Sequence, residues 1–365
     1  MTKQTDILIV GGGLSGLYLA SQLEAKGHDY HLIEARSRFG GRIYSPVGDD
    51  DQSRFDMGPA WFWPGQPRMA NLLNELNIPH FDQAATGNLV FEDPSGNVRR
   101  DLDMATMEGA HRVQGGLERV IDALVTRLDQ SRLQLSSNVK EIKISEHGVS
   151  ALINGEQSEI IAKKVILCLP PRLIEHSIKF SPLLPDQTAT QMRNCPTWMA
   201  AHAKFIAVYE TPFWRDMGLS GDAISHKGPM MELHDASPQA ESINKDLSDG
   251  PGAIFGFLGI PANVRKNQQD DVINACKQQL ITLFGERAAK PIKVFYKDWS
   301  DDQFTATPMD ANGPQSHPQY SPIILSESAW QDRLFLASTE TALQFGGFLE
   351  GALEAADEVL KRAKL

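Results

Sequence analysis

The first 34 residues alternate between apolar runs and turn residues in the order strand, helix, strand. Residues 7–10 form an apolar run that stops at three glycines, which indicates a buried strand followed by a tight turn. Leu17, Ala20 and Leu23 then recur at helical spacing until Gly27. A second apolar run, YHLIE, closes on Glu34. The pattern predicts a βαβ unit.

The C-terminal segment predicts another helix with an unusual beginning. Its apolar face is formed by Leu349, Ala352, Leu353, Ala356, Val359 and Leu360. Gly346 and Gly347 stand where a capping Ser or Asp is expected. A bare helix N-terminus directs N–H groups and a partial positive charge toward a partner.

The middle of the chain predicts a second α+β unit. Residues 202–209 and 253–259 are apolar strands, and residues 270–284 form an amphipathic helix. The polar, Ser-, Asp-, Gly- and Pro-rich residues 234–252 predict a surface loop. With 365 residues, we expect about two domains in an α/β protein.

The first turn carries the spacing of a dinucleotide site. Gly11 permits the tight turn, Gly13 lets the backbone approach a pyrophosphate, and Gly16 lets helix and strand pack closely. The helix N-terminus, including Ser15, would hold phosphates. Glu34 lies where an acidic side chain accepts hydrogen bonds from a ribose diol. The spacing therefore predicts dinucleotide binding.

A second phosphate-binding element follows in ARSRFGGRIYS. Arg36 and Arg42 supply positive charge, and the Gly40–Gly41 pair allows close approach. A nicotinamide Rossmann domain does not need this element.

Several blocks in this order resemble the flavin-containing monoamine oxidase family. They are IVGGGLSGLYLA with HLIEARSRFGGRIYS, DMGPAWFWPGQ, RVQGGLERVIDAL, NVKEI, KKVILCLPPRLI, HAKFIAVYETPFWR, YKDWSDDQF and the C-terminal helix opening. The resemblance implies a Rossmann-type, glutathione-reductase-like FAD-binding domain at residues 1–80, 110–175 and 305–365. It implies an interleaved α+β substrate domain at residues 81–109 and 176–304.

The same resemblance implies roles for individual residues. Lys204 matches the active-site lysine, which would hold a water and assist reoxidation; the plainer alternative is a strand-end lysine reaching solvent. The remaining cofactor positions are Gly58, Pro59 and Ala60 near the flavin, Val139 at adenine, Trp299 beside the flavin, Glu340 at the ribityl chain, and Phe348 and Leu349 at the pyrimidine edge. Trp61 would contact substrate.

Two departures from the family pattern bear on chemistry. Pro308 stands where covalent members have the flavin cysteine, so we expect noncovalent FAD. Met309 and Phe348 stand at the positions of two tyrosines that face the substrate, unless they are simply core residues. The region that forms a helical cap in larger members is also short. Glu232, His234 and Asp235 could face either the pocket or the surface.

Three functions stay open at this point. The resemblance favours amine oxidation by hydride transfer to flavin N5 with dioxygen as acceptor. The alternative is a desaturase or dehydrogenase acting on a carbon–carbon bond of a larger apolar substrate, which Met309, Phe348 and the short cap favour. A non-catalytic flavoprotein is the third.

The charge and composition of the chain exclude several kinds of binding partner. A net charge of −11 argues against nucleic-acid or anionic-membrane partners. No apolar run reaches the length of a membrane helix, and no secretory signal is evident. Cys168, Cys195 and Cys276 lack metal or disulfide spacing. We expect a cytoplasmic enzyme that binds a small-molecule substrate and no metal; the sequence is silent on oligomeric state.

Overall fold

The computed structural model describes residues 2–49, 53–155, 158–238, 250–314, 316–323, 325 and 329–365. Within these ranges the strands, in chain order, are β1 (Thr2–Val10), β2 (Tyr30–Ile33), β3 (His80–Asp82), β4 (Asn88–Glu92), β5 (Val98–Leu102), β6 (His111–Val113), β7 (Leu133–Gln134), β8 (Val139–Ser145), β9 (Gly148–Ile153), β10 (Ser158–Leu167), β11 (Lys179–Ser181), β12 (Ala203–Tyr209), β13 (Leu219–Ser225), β14 (Met230–Asp235), β15 (Gly252–Leu258), β16 (Lys293–Asp298) and β17 (Leu334–Leu336). The α-helices are α1 (Leu14–Ala25), α2 (Pro67–Leu76), α3 (Glu118–Arg127), α4 (Pro171–Ser177), α5 (Asp186–Asn194), α6 (Ala262–Arg265), α7 (Gln269–Phe284) and α8 (Leu349–Ala363).

The first large sheet contains the predicted βαβ unit. Its order is β11-β8-β9-β10-β1-β2-β7, and β17 pairs with β10. The pairs of β1 with β2 and β10, of β2 with β7 and of β10 with β17 are parallel, as expected when helices cross over a sheet. Mixed α/β architecture and the Rossmann-like unit are thereby confirmed.

Alternating side chains of β1 enter two different cores. Ile7 and Ile9 pack with helices α1, α2, α3 and α8 on one face. Leu8 and Val10 pack with β8, β9 and α4 on the other. Because successive strand residues point to opposite faces, an all-apolar run is what a sheet buried on both sides requires.

The second large sheet has the order β16-β12-β15-β14-β13-β4-β5. Its pairs are antiparallel except β13 with β4. Helix α7 covers one face through Val272, Cys276, Leu280 and Leu283. The opposite face carries Ile206 and Val208 of β12, which pack against Phe55 and Met57. The predicted strands in residues 202–209 and 253–259 and the helix in 270–284 are confirmed.

The chain between residues 176 and 194 packs on the first sheet. Strand β11 pairs with β8, and Phe180 and Met192 pack in the same core. The division of the chain into two domains stays a prediction. The predicted loop at 234–252 begins too early, because His234 and Asp235 are buried residues of β14; residues 239–249 of that loop lie outside the described residues.

Candidate active site

A cavity of about 720 Å³ is lined by residues of both large sheets. The first sheet contributes the glycine turn after β1 and the segment that follows β10. The second sheet contributes Lys204 of β12, Glu232 of β14 and Phe257 of β15. This volume is typical of small-molecule sites, roughly 300–1,000 Å³.

Each of the three motif glycines of the first turn is required for a different structural reason. Gly11 has φ +110°, and a Cβ on it would lie 2.8 Å from the main-chain oxygen of Cys168. A Cβ on Gly16 would lie 2.0 Å from the oxygen of Gly11, so α1 packs directly on the turn. Gly13 is instead open toward the cavity, and it precedes α1 with no side-chain cap. Only Gly11 and Gly13 of this set line the cavity; Gly16 supports them from behind.

The hydroxyl of Ser15 joins the two ends of the chain. Its Oγ donates to the main-chain oxygen of Ala337 at 2.5 Å, which ties the start of α1 to the segment after β17. Ser15 lines the cavity. Its hydroxyl thus holds the two segments that border the cavity together.

The second glycine turn is fastened to the first. Gly40 donates its N–H to the oxygen of Gly12 at 2.8 Å. Gly41 has φ +59°, and a Cβ there would lie 3.3 Å from the Cα of Gly13. Glycine at these positions therefore lets the two turns meet at the cavity wall.

Arg42, directly after this turn, forms a bidentate ion pair with Glu340. Nη1 lies 2.6 Å from Oε1, and Nη2 lies 3.1 Å from Oε2. Glu340 has no exposed surface, whereas the side chain of Arg42 is 28 % exposed and lines the cavity. Glu340 itself does not line the cavity. The structure shows that it orients Arg42, and its contact with the ribityl chain stays a prediction.

Glu34 uses both carboxylate oxygens on main-chain donors. Oε2 accepts from the N–H of Gly12 at 2.7 Å, and Oε1 accepts from the N–H of Arg36 at 2.8 Å. The residue is buried and lines the cavity. Each oxygen keeps a further lone pair, so Glu34 can hold the glycine turn and still accept from a ligand hydroxyl.

Arg36 bridges the two sheets. Its Nη2 donates to Asp302 Oδ1 at 2.6 Å and to Thr305 Oγ1 at 2.9 Å. Asp302 and Thr305 follow β16 of the second sheet. Arg36 lines the cavity, so it contributes positive charge there while fixing one sheet against the other.

Helix α8 begins at the cavity without a side-chain cap. Phe348 occupies the capping position, and Gly347 before it has φ +84°. A Cβ on Gly347 would also lie 2.8 Å from His317 Nε2. Gly347, Phe348 and Leu349 line the cavity. The uncapped N-termini of α1 and α8 therefore both border one space, where their partial positive charges favour a negatively charged group.

Trp299 and the segment before Trp61 form another wall. The indole Nε1 of Trp299 donates to the oxygen of Met57 at 3.0 Å. A Cβ on Gly58 would lie 1.9 Å from the oxygen of Arg42, so this segment crosses directly over the second glycine turn. Gly58, Pro59, Ala60 and Trp299 line the cavity.

Lys204 is a buried amine on the cavity wall. Its side chain lies on the same face of β12 as Ile206 and Val208, and the residue is 2 % exposed. Nζ donates to the main-chain oxygens of Asp56 at 2.6 Å and Gly58 at 3.3 Å. The alternative of a lysine that reaches solvent is excluded.

The surroundings of Lys204 set its charge. Burial lowers its pKa to about 7, the charge of Asp56 opposes that shift, and Arg112 adds to it. Its Nζ also lies 3.9 Å from the centre of the Phe255 ring. Asp56 is held by Ser45 Oγ at 2.6 Å and by the N–H of Leu117 at 2.9 Å. An amine in this setting exchanges a proton near neutral pH.

Aromatic rings cover the cavity on two sides. The Trp61 ring lies 5.1 Å from Phe255 and 6.4 Å from Phe257, and its Nε1 donates to Gln83. Phe348 stacks on His317 with ring centres 4.8 Å apart. Phe348 and Trp61 line the cavity, and Phe348 is not an enclosed core residue; their contacts with substrate stay a prediction.

Met309 does not face the cavity, contrary to the position expected for it from the sequence. Its side chain is 51 % exposed and does not line the cavity. The neighbouring Asp310 takes the inner position instead, accepting from Arg172 Nη1 at 2.5 Å and from Thr307 Oγ1 at 2.8 Å. Because Asp310 anchors this short 3-10 turn inward, Met309 is left at the surface. The argument that Met309 gave for a carbon–carbon substrate falls with it.

Val139 also lies away from the cavity lining. It begins β8 and packs in the core with Val10 and Ile33, one residue before Glu34. Its contact with adenine stays a prediction.

Sequence reasoning missed two polar side chains of the lining. They are His202 and Ser338, which both line the cavity. The buried Nδ1 of His202 and the buried Oγ of Ser338 find no hydrogen-bond partner among the described residues. Burial and the charge of Arg265 lower the pKa of His202, so its ring is neutral at pH 7. The strand period gave a signal for His202, since it lies two residues before Lys204 on the same face.

The structure shows which of Glu232, His234 and Asp235 faces the cavity. It lines the cavity, whereas His234 and Asp235 are buried behind it. Asp235 pairs with Arg215 and accepts from the indole of Trp214.

Two features that the described residues lack bear on the kind of site. No helix within the described ranges has both the length and the apolar character needed to cross a membrane. Across the same residues, no group of three or more His, Cys, Asp or Glu side chains is placed to hold a metal ion.

Comparison with family models defines the class. The model described as flavin containing amine oxidoreductase matches residues 84–360, and a model described as NAD(P)-binding Rossmann-like domain matches residues 9–76. The first covers more than half of the chain, so the chain belongs to the flavin containing amine oxidoreductase family. It is an FAD-dependent oxidoreductase.

Individual relatives span nearly the whole chain. Flavin-containing amine oxidase B of Sus scrofa is 22% identical, covering 99% of this chain and 86% of its own. Putrescine oxidase of Kocuria rosea is 22% identical, covering 83% of each chain. Among solved structures, cyclohexylamine oxidase from Brevibacterium oxydans has a TM-score of 0.78 at 18% identity, covering 99% of this chain and 98% of its own. This likeness confirms the fold.

Proposed function

We propose that this enzyme oxidises small-molecule amines, with FAD held noncovalently and dioxygen as the electron acceptor. The observation that carries the proposal is the buried Lys204 amine on the wall of a cavity that also receives two uncapped helix N-termini. The curated relatives named for oxidation of amines, including putrescine oxidase, support the same substrate class.

The residues present fit FAD. The open Gly13, the paired glycine turns and the uncapped end of α1 suit a pyrophosphate, with Arg42 as counter-charge. Glu34 retains acceptor capacity for a ribose diol. The Ser338 hydroxyl, which finds no partner among the described residues, and the uncapped end of α8 supply further donors to the cavity.

When bound, FAD would supply the two-electron redox chemistry that oxidation of the carbon next to the amine nitrogen needs. The protein supplies binding, orientation and electrostatics for that chemistry. Among its own groups, Lys204 Nζ is the one buried amine of the cavity lining that titrates near neutrality. It is anchored to the oxygens of Asp56 and Gly58 and can hold a water or donate a proton from a fixed position.

The aromatic walls orient the substrate. Trp61, Phe257 and Phe348 present ring surfaces to the cavity, which favour the apolar body of an amine and exclude water. His202 adds a neutral imidazole two residues before Lys204. We assign it a polar contact with the substrate.

The cysteines of the site support the proposal of noncovalent attachment. Cys168 is the cysteine in the described lining, and burial raises the pKa of its thiol to about 12. A thiol in that state is not the thiolate that reacts. Pro308 occupies the position where the family resemblance expects a covalent cysteine.

An anaerobic titration tests the proposal. We expect the visible flavin absorbance of the purified holoenzyme to bleach when primary or secondary amines are added, and to return with oxygen. A yellow protein that no amine bleaches, but that an apolar carbon–carbon substrate does, would contradict amine oxidation.

A further inference from the structure

Three strands of the second sheet place Lys204 and Glu232 in one row. Lys204 of β12 is directly opposite Phe257 of β15, and Phe257 is directly opposite Glu232 of β14. Directly opposite residues of antiparallel strands point to the same face, with about 5 Å between neighbours. Lys204 and Glu232 therefore face the same cavity, with their backbones roughly 10 Å apart and Phe257 between them.

The carboxylate of Glu232 is held from behind by a buried imidazole. His234 Nε2 lies 2.8 Å from Glu232 Oε1, and His234 Nδ1 lies 3.1 Å from Asp222 Oδ1. Asp222 in turn accepts from Thr106 Oγ1 at 2.7 Å. The imidazole is fully buried with its edge against Trp61. Glu232 is thus oriented by a chain of partners, although its own side chain stays 50 % exposed.

The charge of this group is negative. Burial works against the charged form of His234, but the hydrogen bonds and charges of Asp222 and Glu232 outweigh it and raise its pKa. The hydrogen bond from His234 lowers the pKa of Glu232. Because two carboxylates surround one imidazole, the group keeps at least one negative charge even with His234 protonated, and Glu232 is the member that reaches the cavity.

The position of this charge separates it from the cofactor end. The described lining contains two carboxylates, Glu34 and Glu232. Glu34 is engaged by two main-chain N–H groups of the glycine end. Glu232 lies on the second sheet beside Met231 and Phe257, among the substrate-facing walls.

We propose that Glu232 is an anionic subsite that binds a second, positively charged group of the substrate. The substrate class is then a diamine, or an amine with a distal ammonium, rather than a simple monoamine. One amine reacts on the Lys204 side of Phe257 while the other pairs with Glu232. This inference rests on the proposed amine oxidation.

A matched substrate series tests it. We would measure kcat/KM for linear α,ω-diamines and for n-alkylamines of the same carbon number, with the wild type, Glu232→Gln and a control, Glu210→Gln, whose side chain is exposed just after β12. Loss of a charge-assisted hydrogen bond predicts a fall of about 10- to 100-fold for the best diamine in Glu232→Gln. The decisive quantity is the diamine-to-monoamine ratio of kcat/KM, which should fall in Glu232→Gln, whereas Glu210→Gln should keep both rates within about twofold.

Calorimetric Kd values for the same amines on the oxidised, anaerobic holoenzyme give a second readout that does not depend on turnover. The wild type should bind the best diamine at least about tenfold more tightly than its monoamine, and Glu232→Gln should remove that difference. Equal diamine-to-monoamine ratios in wild type and variant would overturn the subsite. Monoamine oxidation without a diamine preference would do so while leaving amine oxidation standing. Diamine-selective binding without any flavin bleaching would instead contradict the proposed oxidation.

Discussion

Lys204 Nζ lies 2.6 Å from the main-chain oxygen of Asp56 and so ties the substrate-facing sheet to the segment that crosses the second glycine turn. The same Asp56 uses its carboxylate on Ser45 and Leu117. The position of the amine is therefore set by the backbone of one segment, while the charge of that segment's side chain opposes the loss of its proton. The segment that contains Asp56 therefore influences both the position and the protonation of the Lys204 amine.

Replacing Lys204 by Met should keep the flavin bound but slow its reoxidation by oxygen. Methionine fills a similar volume without charge or donor, and loss of one positioned donor costs about 100-fold in comparable sites. Stopped-flow mixing of reduced enzyme with oxygen measures the rate. Lys290→Met, at an exposed position, is the control. Unchanged oxygen kinetics in Lys204→Met would remove Lys204 from the reaction.

The reoxidation rate should depend on pH through Lys204. Its pKa is lowered to about 7, so the side chain is an ammonium below pH 7 and a neutral amine above. Reduction of dioxygen builds negative charge, which an ammonium stabilises. The rate should therefore fall as pH rises through about 7 in the wild type and show no such step in Lys204→Met. A wild-type rate that stays flat from about pH 5.5 to about pH 8.5, on both sides of this pKa, would oppose this role.

Glu34→Ala should weaken FAD binding and lower the melting temperature together. The change leaves the N–H groups of Gly12 and Arg36 without their acceptor, at about 1–3 kcal/mol for each buried donor. Flavin absorbance after dialysis and thermal unfolding measure the two effects. Glu210→Ala provides an exposed comparison. Full flavin occupancy with an unchanged melting temperature would show that the carboxylate is dispensable.

Phe348 and Met309 should respond differently to truncation. Phe348 lines the cavity and stacks on His317, so Phe348→Ala should raise KM for amines several-fold, roughly the value of one aromatic contact. Met309 is half exposed, so Met309→Ala should leave kcat/KM within about twofold. Steady-state kinetics on one amine compares them. A large effect at Met309 would contradict its surface position.

Glu340→Gln should destabilise the protein by roughly 1–3 kcal/mol, less than a fully buried pair because Arg42 is 28 % exposed. The substitution leaves the guanidinium without its counter-charge. Urea unfolding measures the free energy. Glu141→Gln, which breaks a more exposed pair with Lys143, should cost less than about 1 kcal/mol. Equal losses in both variants would argue against a special role for the Arg42 pair.

Local patterns were sufficient to predict the elements and the two glycine turns. The apolar runs of β1 and β12 and the periodicity of α7 and α8 are properties of neighbouring residues, so they could be predicted from the sequence. The roles of Gly11 and Gly16 also depend on a short stretch of backbone. Resemblance to a family added Lys204 and Trp299, which no periodicity would have singled out.

Tertiary structure alone decided which distant side chains share the cavity. Met309 was placed outside because Asp310, its chain neighbour, is captured by Arg172 from another element. Glu232 was placed inside because strand pairing carries it into line with Phe257 and Lys204. The sequence by itself determined the elements and the glycine turns and predicted a dinucleotide site on them, because these depend on local backbone conformation. Only the fold determined the substrate side, because cross-strand register and buried ion pairs join residues far apart in the chain.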